Sequence, residues 1–216
     1  MSVNEDNMKS RLFAIGIKAL EDNGWTVSAG PNSRLASVRT MAKGDKSFAV
    51  SIRTSQSRWI AFPRSENGTG WDTLDEVEQV LAVTVDDPHA PAKAYVHLVD
   101  AVEMRARFAE GYEARVASGR TVNPRSPMWV PIYTEPNVKK PTHAGAGAGD
   151  ANPAIAVVNL ESADEAEAAV SNPSSAVSDG TQRDDKEGPL TIAEAKRRLA
   201  LTLGVDPSSI RITVEA

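Results

Sequence analysis

Apolar and polar positions alternate with two different periods along this chain, and the changes of period mark out its elements. Met8, Leu12, Ile15, Ala19 and Leu20 recur at mostly three- and four-residue spacing, which puts them on one face of a helix. Asp6 or Asn7 offers a capping oxygen at its start and Asn23-Gly24 closes it, so the pattern predicts a helix ending at about Asp22. The period then drops to two. Trp25 to Ala29, Arg34 to Met41, Ser47 to Thr54 and Arg58 to Pro63 read as strands of a curled antiparallel meander. Lys43-Gly44-Asp45 is a hairpin turn in which Gly44 supplies positive φ. Thr73-Leu74-Asp75 reads as a helical turn. Val77 to Val85 has a largely apolar core, which predicts burial at the sheet centre, and Ala94 to Val99 is a further strand. Asp100 caps a second helix that Gly119 ends, and Met128 to Tyr133 is a last strand whose Pro131 favours an edge or an end. The order predicts an α+β domain over residues 1–140.

Composition changes this picture after Pro141. From there to Gly188 the chain is mostly Ala, Gly, Ser, Pro, Asp and Glu, without an aromatic Phe, Trp or Tyr, and without Lys or Arg before Arg183. Such a segment has too little apolar surface to offset the entropy of ordering it, so residues 141–188 are expected to be a disordered acidic linker. Ala154 to Leu160 (AIAVVNL) is its one candidate strand or docking segment. Gly145, Gly147 and Gly149 alternate within it, but they open no strand-to-helix unit and are not read as a phosphate loop.

Pattern returns over residues 189–216. Thr191 and Glu194 form a capping box, Leu199 and Leu203 line one helix face, and Ile210, Ile212 and Val214 alternate as a strand. One helix and one strand close no core, so this small helix-strand module is expected to dock on its own domain, on a second copy or on a partner. A helix-turn-helix is the rival reading, on the spacing of Ala200, Gly204 and Ile210 and the cations Lys196, Arg197, Arg198 and Arg211. Against it, Ile212, Thr213 and Val214 favour a strand where the recognition helix would run.

Charge and chemistry narrow the function classes. With 24 Lys+Arg against 29 Asp+Glu the net charge is -5, which argues against coating nucleic acid through overall charge. The absence of cysteine rules out disulfides, thiolate nucleophiles and Cys-ligated zinc. An acidic, polar start and no apolar run of membrane-spanning length lead us to expect a cytoplasmic protein with no membrane partner; no motif implies a cofactor. Locally the balance reverses. Arg34, Arg39, Lys43, Lys46, Arg53, Arg58 and Arg64 run through one stretch with Trp59 among them and Asp45 their single acid. One reading is a face that contacts phosphates and stacks a base on Trp59; the other is cations that protect strand edges, with Trp59 in the core. Asp86, Asp87 and His89, with His97 on the next strand, offer oxygen and imidazole ligands, yet the same residues suit an ordinary strand-end turn.

The element order, with ALEDNGWTV ending the first helix and AVSIRTSQSRWIAF on the third strand and its exit, resembles the PD-(D/E)XK, or restriction-endonuclease-like, superfamily over about residues 7–135. The resemblance implies a mixed sheet flanked by helices. It also implies a metal site in which an acid on the second core strand and an acid-x-Lys on the third hold a divalent ion that activates water. Those third-strand positions are here Ser51-x-Arg53, and Asp45 stands in the hairpin turn. Asp45, Ser51 and Arg53 are therefore the candidates for a degenerate catalytic site. The expected function is a binding protein or accessory subunit gripping DNA or a protein partner, with homo-oligomerisation through the C-terminal module as one option. The alternatives are a divergent metal-dependent DNA nuclease using Asp45 with Asp86 or Asp87, and a regulator or inhibitor of a nucleic-acid-processing system whose acidic linker mimics nucleic acid.

Overall fold

Two apolar faces of one sheet organise the fold. The computed structural model describes residues 3–30 and 37–160. Strands β1 (Thr26–Ala29), β2 (Val38–Lys43), β3 (Lys46–Ser55), β5 (Gln79–Val85), β6 (Lys93–Asp100) and β8 (Ala156–Asn159) form a six-stranded sheet in the order β1-β2-β3-β5-β6-β8. Only β3 and β5 run parallel; the other neighbours are antiparallel. β4 (Trp59–Pro63) and β7 (Pro127–Pro131) pair as a separate antiparallel ribbon. Strand alternation sorts the core. Val50, Ile52, Leu81, Val83 and Val96 pack with helix α1 (Val3–Asp22), whereas Val80, Ala82 and Val99 pack with helix α2 (Ala101–Ala117) and the ribbon. The chain is thus a mixed α+β domain, as its patterning predicts.

Local rules explain most boundaries. Gly16 lets α1 lie close to the sheet, since a Cβ there would stand 2.9 Å from Val83 Cγ2 and 3.1 Å from Leu81 Cδ2. Gly44 takes φ 59° between the paired Lys43 and Lys46. The Asp100 carboxylate accepts from the Val102 N–H at 2.7 Å and starts α2.

Two expectations are revised. The fourth strand does not extend the meander, because the partner of β3 is β5. Ile60 and Phe62 instead join Met128 and Val130 against α2, and β4 becomes part of the long crossover that a parallel β3/β5 pair requires. The expected linker does not begin at Pro141 either. Residues 141–160 fold onto the domain as a 3₁₀ turn (Pro141–His143), a short helix α3 (Ala148–Ala151) and β8 on the free edge of β6. Ala148, Gly149 and Leu160 are buried, and the Leu160 carbonyl accepts from Arg11 on α1. Residues 161–188 of that linker and the module at 189–216, with Leu199, Leu203, Ile210, Ile212 and Val214, lie outside the described residues. No described helix is long and apolar enough to cross a membrane.

Candidate nucleic-acid interface

The ribbon has an inner and an outer face. Ile60, Phe62, Met128 and Val130 point into the core, so the alternate positions Trp59, Ala61, Pro63, Pro127 and Trp129 fall on the other side. Trp129 is 49% exposed there and Trp59 half-buried. The Pro141–His143 turn comes alongside, and the Trp59 and His143 rings meet edge to face with centroids 5.0 Å apart. Between these elements and the C-terminal end of α2 lies a cleft of about 590 Å³.

The chemistry of this cleft is one-sided. Trp59, Trp129 and His143 line it together with Arg115, Arg120 and Lys140, and no lining residue is a carboxylate. Arg115 is buried in the wall and donates to the carbonyls of Gly111 (2.8 Å), Trp129 (2.6 Å) and Thr142 (3.0 Å). Burial, and then the nearby Arg120 charge, pull its pKa below the usual guanidinium value. Arg120 and Lys140 are exposed at the rim. His143 Nε2 stands 3.5 Å from the Glu135 carboxylate, and its Nδ1 lies 3.1 Å from the Thr142 hydroxyl.

Of the seven cations singled out in the sequence, Arg34 lies outside the described residues and the other six are dispersed. Arg39 stacks over Phe13 at 5.1 Å, and Lys43 stacks over Trp25 at 5.9 Å while donating to the Asn23 carbonyl. Lys46 is exposed at the start of β3, and Arg58 lies beyond its far end, over the Tyr133 ring at 4.4 Å. Arg64 is sandwiched between Trp71 (4.7 Å) and Tyr112 (4.2 Å) and donates to the Gly70 carbonyl. Arg53 lies half-buried over the Phe62 ring at 4.3 Å. Trp59 alone of these residues lines the cleft. Trp129, His143, Arg120 and Lys140 come from other segments; the alternation of MWVPIY is the one sequence signal that marks Trp129 as outward.

The candidate metal residues also separate. Asp45 is exposed in the turn before β3, whereas Ser51 is fully buried in mid-strand. Asp86 follows β5, and because β3 and β5 are parallel with Val50 beside Gln79, Asp45 and Asp86 stand at opposite ends of the sheet. The offset is roughly 12 residues, on the order of 40 Å, so the two cannot share an ion. Asp86 Oδ1 accepts from the N–H groups of Asp87 (2.9 Å), Ala92 (3.0 Å) and Lys93 (3.0 Å), and these hold its carboxyl below the ordinary carboxylate range. Asp87 caps the same turn by accepting from the His89 N–H at 2.7 Å. His97 is buried in a chain of its own. Its Nδ1 lies 2.7 Å from the Asn152 carbonyl, which only accepts, so Nδ1 carries a proton, and its Nε2 stands 2.8 Å from the Tyr133 hydroxyl. The Thr84 hydroxyl lies 3.2 Å from the same Tyr133 oxygen. Among the described residues no three His, Cys, Asp or Glu side chains are placed to hold a metal ion. The chain matches no family model, no curated protein and no solved structure.

Proposed function

We propose that the domain is a non-catalytic binding protein, working as a cytoplasmic accessory subunit, that holds single-stranded nucleic acid in the cleft between the β4/β7 ribbon and the Pro141–His143 turn. One observation carries the reading: in a chain of net charge -5, this cleft gathers two tryptophans, a histidine and three cations, and no carboxylate. Bases stack on exposed indoles regardless of sequence, at about 1–3 kcal/mol each, while rim cations neutralise phosphates. The restriction-endonuclease-like relationship remains part of the proposal. It is supported by the helix, the antiparallel β1-β2-β3 and the buried central β5; on that relationship Ser51 and Arg53 would take the third-strand positions of the acid and the lysine.

Titration of the intrinsic tryptophan fluorescence with oligo(dT) tests the function. The wild type should quench saturably. Trp129→Ala should lose about 1–3 kcal/mol, roughly 5- to 150-fold in affinity. Arg120→Ala with Lys140→Ala should flatten the log–log salt dependence by about 1.4, at ~0.7 for each phosphate that is no longer neutralised. Affinity and salt slope left unchanged by both variants would remove nucleic acid from this cleft and favour a protein partner.

A further inference from the structure

Five arginines sink into the layer between the sheet and α2 or its flanks, and four of them are supplied with acceptors. Arg64 donates to the Gly70 carbonyl, Arg105 to that of Leu74 (2.9 Å), Arg107 to Ala146 and to the Glu103 carboxylate, and Arg115 to three carbonyls. Arg53 is the exception. Among the described residues it finds no hydrogen-bond acceptor and no carboxylate, and what it does meet is the Phe62 ring, stacked at 4.3 Å. Its Nε is enclosed and unpartnered, as is the hydroxyl of Ser51 two residues earlier on the same side of β3. Arg53 is only half-buried and neither Nη atom is enclosed as Nε is, so a ligand would meet the guanidinium at those two atoms.

We propose that Arg53 anchors a second ligand site, on the α2-facing side of β3, that takes a small oxyanion, a carboxylate or a phosphate. A desolvated guanidinium without a counter-charge is costly, and an aromatic face offsets only part of that cost. An oxyanion meets it directly, because two parallel N–H groups match two oxygens. Among the described residues the surroundings offer no carboxylate as a substitute: in register beside Arg53 stand Ala82 and then His97, whose ring nitrogens already face the Asn152 carbonyl and the Tyr133 hydroxyl. Burial already draws the Arg53 pKa down to about 10, the direction expected of a cation lacking a partner. The site is separate from the nucleic-acid cleft, since Phe62 faces the core side of the ribbon and Trp59 and Trp129 the other.

Thermal unfolding of the full chain in inorganic phosphate or in acetate, at fixed ionic strength, tests the site. In the wild type one of the two anions should raise Tm saturably by about 2–4 °C. Phosphate also stabilises proteins by exclusion from their surface, so the signal is the difference from Arg53→Met, in which the saturable rise should vanish. Arg53→Lys should keep a weaker rise, and Trp129→Ala the full one. A rise with phosphate alone identifies a phosphoryl ligand, and one with acetate alone a carboxylate. Equal shifts in wild type and Arg53→Met overturn the proposal. So does the absence of saturable heat on titrating the wild type with either anion, a readout that stands even if Arg53→Met does not fold.

Discussion

Gly145→Ala is the most direct probe of how the Ala/Gly-rich segment is held. Gly145 has φ 81°, and a Cβ built on it would stand 2.0 Å from the Arg107 carbonyl oxygen and 2.9 Å from its carbon. Both atoms belong to the backbone of α2, which cannot turn aside as a side chain does. The left-handed conformation costs an alanine about 1–2 kcal/mol, and forcing a methyl into a filled space about 1–3 kcal/mol more, so about 2–5 kcal/mol is expected in all. Gly44→Ala separates the two contributions: φ there is 59°, with nothing within 4 Å of the added Cβ. It should cost the conformational part alone. Equilibrium urea unfolding reads both variants, and with an m-value of about 2 kcal/mol/M the Gly145→Ala midpoint should fall by roughly 1–2.5 M. Equal midpoints for the two variants would refute the packing of residues 141–160 against α2.

Two further substitutions address buried and turn polar groups. Tyr133→Phe removes the hydroxyl between Thr84 and His97 and strands a buried imidazole nitrogen, so urea unfolding should show a loss of about 1–3 kcal/mol. Asp86→Ala tests the β5–β6 turn through pH. The Asp86 carboxyl is held below its ordinary value, so the stability it contributes is present above the unfolded-state pKa and lost as pH falls through the folded one. Wild type should therefore melt above Asp86→Ala at about pH 7, and the gap should close by about pH 2; a gap that does not change with pH contradicts this role.

Local chemistry was legible in the sequence wherever it alone decides the outcome. Asp100 caps α2, Gly44 turns the hairpin, and the apolar Val80 to Val85 becomes a central strand, because each depends on few neighbours. Partner choice was not legible. Ile60 and Phe62 alternate equally well for a fourth meander strand or for a ribbon, and only the packing of Met128 and Val130 against them selects the ribbon. The Gly145 to Gly149 run reads as linker because composition registers its lack of large side chains, whereas its fold comes from how closely backbones approach without them. At Gly149 a Cβ would meet Ile132 and Tyr133 atoms at 2.7 Å. Arginines mislead in the same way: sequence shows a charge at Arg64 and at Arg53 alike, but not that one lies between two aromatic rings with carbonyl acceptors and the other meets no acceptor among the described residues.

The cleft itself is built around a cation that the ligand need not touch. The three carbonyls bound by Arg115 belong to α2 (Gly111), to β7 (Trp129) and to the 3₁₀ turn (Thr142), which are the walls of the cleft. Hydrogen bonds to a charged donor are the strong ones, and three from one side chain fix the spacing of elements that share few other bonds. Trp129 is therefore presented from a backbone already tied to the helix, while Trp59 is held by the His143 ring from the same turn. A surface fixed in advance spends less of its binding energy on ordering. The departure of β4 from the sheet makes this possible, because a ribbon needs its inner residues for the core and leaves its outer residues uncovered. In an acidic chain, the pinned walls carry cations and indoles and no carboxylate, and that combination ties the fold to the proposed ligand.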